Sequence, residues 1–517
     1  MCRGTMRYVA FISLVVTIFQ VKAAAWISSS KKSNIISPLR RQTQRYVSNA
    51  PINSLTHTGR TNDSTKDDKK KIGVLDGSTD PTKNYTTKDT QTNIHDNDDI
   101  NIDTITSPYL VHKGRAVSMI KRCVSIEGLS IATGWTPQAT EAFKVAIEAL
   151  VRMNPILTGT LVEVKKQPWP WSQQSELWIH PYQFHPQSFV EEVDSSDVLS
   201  PTDVMSTQDT ANKMFDYVIN NVSPHILSSK AEFSYDQIKH GSPLFTAKIM
   251  DFKDGTAAFS IKMSHAVGDG TTYFELVAQV SSLMKGETPT SILWEYPLKS
   301  THEIYPASFS ERDYTRSYGL PFGWGVFKNI RTLFKRKCQY ILLSKEKLSQ
   351  KKKELRSRGG DSATISTNDI IMSSLCELCG SSDIFAFDQS IRGGGGGGAP
   401  KTAAGNLFTE VPFKREDGKN PAFIRQIVTN GGFFKSNEVP LEPFLDGRIG
   451  RITSLASVAH STSFPGVDII CQCPSVSFIK DLPLDVAVIF RFNKELFGIM
   501  HNFRKINKSP LLDEIKA

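Results

Sequence analysis

Between residues 256 and 265 the chain alternates. Ala257, Phe259, Ile261, Met263 and His265 fall on one side of an extended strand and their neighbours on the other. Asp254-Gly255 separates this run from the apolar stretch "PLFTAKIMDF" (243–252), which predicts a hairpin. After His265 the period changes. Gly268, Asp269 and Gly270 predict a tight turn, and Thr271 or Thr272 a helix cap. Phe274, Val277, Val280, Leu283 and Met284 are the inward stripe of the helix that follows, ending at Gly286. A second helical period follows Thr136-Pro137, a hydroxyl cap with proline in the first turn, and places Ala142, Phe143, Ala146, Ala149, Leu150 and Met153 on one face. "NPILTGTLVEV" (154–164) reads as a turn into a strand. A third helix is expected over Lys345–Arg358, with Ser344 as its cap and Leu348 and Leu355 inward. These alternations describe a mixed α/β unit that starts near residue 107.

The residues before it follow another pattern. Arg3 and Arg7, the apolar run "YVAFISLVVTIFQV" (8–21) and Ala23-Ala24-Ala25 make a signal peptide over residues 1–25. The run is too short to favour a membrane span. Residues 26–62 are rich in Ser, Thr and Arg and contain no acid, as in a transit peptide. Signal, Trp26 at the cleavage point and a transit-like stretch together resemble the bipartite presequence of algae with complex plastids, so a plastid is the expected location. The alternative is a secreted protein with a basic tail, in which Asn62, Asn84 and Asn221 would be usable sequons. Residues 63–106 hold too little apolar surface to offset the cost of ordering and are expected to be a disordered linker.

Composition narrows the function classes. The chain has 517 residues, room for one large two-lobed unit, and a net charge of +9, which suits an anionic ligand, a membrane surface or nucleic acid. The densest basic stretch runs from Lys328 to Arg358 and no nucleic-acid-binding motif accompanies it, so nucleic acid is set aside. Seven cysteines do not make a disulfide scaffold, and Cys376 and Cys379 lie in an apolar helical pattern as core thiols, not a metal site. The six glycines at 393–398 lack the Gly-Lys-Ser/Thr ending of a phosphate loop and read as a flexible connection.

His265 ends an apolar face where strand gives way to loop, a place from which a side chain can reach a cleft. A single such histidine is equally compatible with a satisfied core residue. "SHAVGDG" (264–270), however, resembles the HxxxDG motif of the BAHD acyltransferases and of the wider superfamily built on the chloramphenicol acetyltransferase fold. Further segments agree in type and order: "NPILTGTLV", the hairpin before the motif, "LLSKEKLSQKKKELRSRGGDSATISTNDIIMSSL" (342–375) and "FDQSIRGGGGGGAPKTAAGN" (387–406). The DFGWG motif is missing. Its position appears at "VDIICQCP" (467–474), and the Phe-Gly-Trp-Gly at 322–325 lies too early in the chain. "ITSLASVAHSTSF" (452–464) resembles the family's Thr-Ser-Trp segment with Leu455 in place of Trp.

The resemblance implies an α/β fold of two chloramphenicol-acetyltransferase-like lobes, each a mixed sheet flanked by helices, with the active-site channel at their interface. The lobes would cover residues 107–300 and 361–517, with a crossover over 301–360. It implies a monomer that uses acyl-CoA as co-substrate, binds no resident cofactor or metal, takes a small-molecule acceptor and leaves room for peripheral membrane contact. His265 would be the general base, with direct attack of the acceptor hydroxyl on the thioester. Asp269 would pair with Arg392 and Gly270 would leave room beside the histidine. Thr453 or Ser454 would hold the oxyanion. Lys345, Lys351, Lys352 and Arg356 would hold the CoA phosphates, or else form a solvated helix face. A hydroxylated plastid pigment or lipid is the expected acceptor. A wax-ester or acylglycerol type enzyme and a non-catalytic ligand-binding relative are the alternatives.

Overall fold

The computed structural model describes residues 108–517, apart from 114–116, 118–119, 122, 166–174, 181–188, 206–209, 230–231, 295–319, 331–335, 359–363, 391, 394–398, 430–438, 457–462, 476–478 and 480–481. The signal, transit-like and linker segments lie outside the described residues, as do Asn62, Asn84, Arg331, Lys335 and most of the hexaglycine.

Along the chain the first strands are β1 (Tyr109–Lys113), β2 (Ile126–Thr133), β3 (Thr160–Lys165), β4 (Ser175–His180), β5 (Val190–Glu192), β6 (Phe245–Asp251) and β7 (Thr256–Met263). They are followed by β8 (Gln339–Ser344), β9 (Ile384–Ser390), β10 (Phe408–Lys414), β11 (Ile449–Ser454), β12 (Asp468–Pro474), β13 (Asp485–Arg491) and β14 (Leu496–His501). The helices that matter here are α1 (Pro137–Met153), α2 (Gly270–Met284), α3 (Leu320–Ile330), α4 (Lys345–Arg358), α5 (Thr367–Leu378) and α6 (Pro421–Thr429).

Thr136 caps α1 as expected, its hydroxyl accepting from the Ala139 amide at 3.2 Å, with Pro137 in the first turn. β6 and β7 form the expected hairpin, in register from Phe245 opposite Met263 to Asp251 opposite Ala257. Gly255 turns it at φ 87°, a conformation that glycine takes without strain. Ser344 accepts from the Lys347 amide at the start of α4, and Leu348 is buried.

The strands assemble into three sheets: β1-β4-β3, a five-stranded β12-β2-β7-β6-β5 and a six-stranded β10-β9-β11-β13-β14-β8. Ala257, Phe259, Ile261 and Met263 of β7 bury one face of the five-stranded sheet in a core with Phe143 and Leu150 of α1 and Leu276 and Val280 of α2. The opposite face, with Leu129, Ile131 and Ala258, shares a second core with Val486, Val488 and Phe490 of β13. Ile489, Phe385, Phe387 and Val411 bury the far face of the six-stranded sheet against Ile370, Leu375 and Ile424 of α5 and α6. The layers therefore run helix, sheet, sheet, helix, with the two large sheets meeting through the middle core.

Sheet membership departs from chain order. The "VDIICQCP" segment supplies β12, which pairs antiparallel with β2 in the five-stranded sheet and buries Cys471 and Cys473 in the shared core. β8, within the span 301–360, pairs with β14 in the six-stranded sheet. The Phe-Gly-Trp-Gly lies inside α3 and leaves Trp324 exposed. Cys376 and Cys379 are buried core thiols, as their apolar spacing predicts.

A buried ion pair clamps the start of β13. Arg336 Nη1 donates to Asp485 Oδ1 at 2.8 Å and to the carbonyls of Leu484 and Asn502 at 2.7 and 3.1 Å. Both side chains are fully buried. Removing the guanidinium leaves a buried carboxylate short of its cation, so Arg336→Met is expected to cost about 3–5 kcal/mol. Urea denaturation of variant and parent measures it, and a loss below about 1 kcal/mol would show that the pair is not what holds β13.

Candidate active site

β7 ends at Met263 and His265 follows in a tight turn. The turn is braced from within by Ser264, whose hydroxyl accepts from the Ala266 amide at 3.2 Å and donates to Gln237 Oε1. It is also braced from the later half of the chain. Asn406 Nδ2 donates to the His265 carbonyl at 2.7 Å, and the Asp269 amide donates to the Gly405 carbonyl at 3.3 Å. His112 of β1 lies behind, its Nε2 3.2 Å from the Ala266 carbonyl, which sets the Nε2–H tautomer. The His265 ring meets Phe408 of β10 edge-on at 6.3 Å between centroids. Its Nδ1 is sealed from solvent with no hydrogen-bond partner.

Asp269 does two jobs. It is the cap of α2, correcting the expectation of Thr271 or Thr272: its Oδ1 accepts from the Thr272 amide at 3.1 Å. It also forms a two-pronged pair with Arg392, at 2.8 Å from Nη1 to Oδ2 and 3.0 Å from Nη2 to Oδ1. The pair is buried, with side-chain exposures of 4% for Arg392 and 9% for Asp269, so it is not the weak surface pair. The remaining hydrogen-bonding capacity is used locally. Arg392 donates to the carbonyls of Ala403 and Gly405, and the Leu407 amide donates to Asp269 Oδ2. Gly270 faces Leu455 across the junction: a Cβ there would sit 2.8 Å from Leu455 Cδ2.

Thr453 and Ser454 end β11 on opposite faces, as strand geometry requires. Thr453 Oγ1 donates to Asp388 Oδ2 at 3.1 Å. Burial pushes the Asp388 carboxyl above its ordinary range, and Arg451, Thr453 and His265 pull it back. Ser454 Oγ is buried without a partner. It opens onto a cavity of about 500 Å³ between the six-stranded sheet and the helices, lined also by Lys352, Asn368, Asp388 and Gln389. Asn368 Oδ1 and Gln389 Oε1 are likewise buried without partners, although Gln389 Nε2 is committed to the Val428 carbonyl. Three unsatisfied oxygens around one cavity are costly to fold and mark a ligand surface.

The basic helix α4 separates the four phosphate candidates. Lys352 alone among them lines the cavity. Lys351 is held between Glu354 and Glu514, Lys345 donates to the Lys494 carbonyl, and Arg356 to the Ile365 carbonyl. Sequence reasoning missed His112, Asp388, Glu410, Asn406 and Arg451 as site neighbours. Only Asn406 had a local signal, the Gly-Asn pair after the glycine run. Among the described residues no three His, Cys, Asp or Glu gather as a metal site, and no helix is long and apolar enough to cross a membrane.

Residues 210–315, which include His265, Asp269 and Gly270, match the model of the Transferase family. TRI101 of F. sporotrichioides, solved with coenzyme A and T-2, is similar in fold at a TM-score of 0.52 and 12% identity, covering 74% of this chain and 91% of its own. TRI101 of F. graminearum, solved with ethyl coenzyme A, gives 0.50 at 9% identity, covering 76% and 94%. No curated protein sequence matches the chain. The fold is thus the two-lobed one that the motifs implied, with the His265 turn at the junction of the two large sheets.

Two outcomes follow for this scaffold. Arg392→Ala strands Asp269 in a buried site and is expected to lose about 3–5 kcal/mol in urea denaturation, with Asp269→Asn in the same chain restoring part of it. An equal loss in single and double variants would show that the two side chains do not act as a pair. Burial also holds His112 and His501 down to about 4. Unfolding returns them to the ordinary range near 6.5. Their contribution is whole above about pH 6.5 and is lost as pH falls towards 4, because the unfolded chain binds the extra protons. The urea midpoint should fall from pH 7 to pH 5, and His112→Asn should flatten that fall. An unchanged slope would assign the proton uptake to other groups.

Proposed function

We propose that this protein transfers an acyl group from an acyl-CoA thioester to a hydroxyl of a small-molecule acceptor, with His265 as general base. The observation that carries the reading is a histidine turn where the two large sheets meet together with a polar cavity on the helix side of the six-stranded sheet. One is a half-buried histidine whose Nδ1 is sealed without a partner, which assigns the substrate-facing role to Nε2. The other is the neighbouring cavity, whose oxygens lack donors and whose rim carries Lys352. The pantetheine arm of CoA brings amide N–H groups that suit Asn368 Oδ1 and Gln389 Oε1, and its phosphates suit Lys352.

In the reaction the acceptor oxygen attacks the thioester carbonyl while His265 Nε2 takes its proton. The tetrahedral intermediate collapses by breaking the C–S bond, and the imidazolium returns the proton to the departing CoA thiolate. Ser454, whose hydroxyl is uncommitted, is the stronger oxyanion donor of the two candidates, because Thr453 is engaged by Asp388. Asp269 and Arg392 act by holding the turn, and the Asn406 amide fixes the His265 backbone.

The test is release of free CoA thiol from acetyl-CoA and longer acyl-CoAs in the presence of alcohols, with products read by mass spectrometry. His265→Ala is expected to lower kcat by about 10²–10⁴-fold while keeping the parent circular dichroism. Lys352→Ala is expected to raise the KM for acyl-CoA by up to about fivefold, less at high salt. Wild-type rates in His265→Ala would remove the general base from this mechanism.

A further inference from the structure

The cations of α4 are not spread evenly around the helix. At roughly 100° per residue, Lys345, Lys352 and Arg356 fall within about 40° of one another, with Lys353 about 60° further round. The strip they form is about 16 Å long. Lys352 stands closest to the inward side marked by Leu348 and lines the cavity. Lys345, Lys353 and Arg356 are exposed beside it.

Among the described residues no carboxylate lies within ion-pair distance of any of the four. The Lys345 ammonium donates to the Lys494 carbonyl at 3.1 Å and the Arg356 guanidinium to the Ile365 carbonyl at 3.0 Å, bonds that leave both charges standing. The acids of α4 serve other groups. Glu346 takes the Gln350 amide at 3.2 Å, and Glu354 holds Lys351.

Folding does not favour this arrangement. Lys345 opens the helix, where the aligned peptide dipoles repel a cation, and Lys352 and Arg356 are like charges one turn apart. An anion drawn to the strip offsets both costs. Exposed lysines gain little from direct contact with a phosphate, because water competes. Their field, however, reaches about 10 Å in roughly 0.1 M salt. Cations grouped beside a cavity therefore act chiefly on the approach of an anion, by raising its local concentration.

We infer that the α4 strip captures the acyl donor from solution by its phosphates, and so selects CoA-borne acyl groups over uncharged thioesters. This rests on the acyl-transfer reading above; the selection takes place outside the cavity, in the association step. CoA carries a diphosphate and a 3′-phosphate at the end remote from its thioester. Lys345, Lys353 and Arg356 draw that end to the rim, and the uncharged pantetheine arm enters past Lys352.

The experiment uses the full 517-residue chain. Association with etheno-CoA, a fluorescent CoA, is followed by stopped flow. Turnover with an alcohol acceptor is compared for acetyl-CoA and for S-acetylpantetheine, which keeps both amides and lacks every phosphate. From about 20 to about 200 mM NaCl the association rate constant should fall about fivefold or more, while kcat/KM for S-acetylpantetheine stays within about twofold. Lys345→Glu with Lys353→Glu should slow association about fivefold at low salt, keep the dissociation rate constant within about twofold and leave S-acetylpantetheine turnover unchanged. The neutral pair Lys345→Gln with Lys353→Gln, expected to slow it about twofold, serves where charge reversal disturbs the fold. Salt-independent association, or a folded double variant that binds as fast as the parent, overturns capture by the strip and leaves acyl transfer standing. Absence of etheno-CoA binding, with no thiol released from either donor, overturns acyl transfer and this inference together.

Discussion

The pair between Asp269 and Arg392 is the constraint on which the site depends. It joins a turn after β7 to the segment after β9, residues more than a hundred positions apart. Each partner is buried, and each needs the other to be tolerated there. Asp269 also caps α2, so the same carboxylate sets where the helix begins and where His265 must stop. Gly405 and Asn406 complete the brace by meeting the Asp269 amide, the Arg392 guanidinium and the His265 carbonyl. The histidine is thus held by the backbone around it, and its ring is left for chemistry.

Strand alternation then divides the work of the six-stranded sheet. Phe387, Gln389, Ile452 and Ser454 face the helices and line the cavity assigned to the donor. Glu410, Arg451 and Thr453 fall on the alternate positions, while Asp388, to which Thr453 donates, also lines the cavity. β12 crosses from the second half of the chain to pair with β2 and secures the two sheets to each other. That pairing keeps the gap between them at a fixed width.

Much of the local structure could be read from residue order. The hairpin, α1 with its Thr136 cap, and α4 with Ser344 and Leu348 follow from period and capping chemistry. The cap of α2 was misplaced onto threonine because Asp269 was read as part of the tight turn before the helix, whereas it both caps α2 and pairs with Arg392. A carboxylate has enough lone pairs for both roles. The basic helix misled for a related reason. Charge density predicts an anion site, but Lys351 is spent on Glu354 one turn along its helix and on Glu514, whose nearness only the folded chain creates.

By itself the sequence determined the alternating strand that ends at His265, the turn that follows and the residue types able to share a proton or a buried charge. These are local properties, set by side-chain period and backbone conformation over a few residues. Tertiary structure alone decided that β12 joins the first sheet, that Lys352 reaches the cavity while its neighbours do not, and that Asp388 stands opposite Glu410 beside the histidine. Those facts rest on pairings between distant segments, chosen by the packing of whole faces, and no local pattern carries that information.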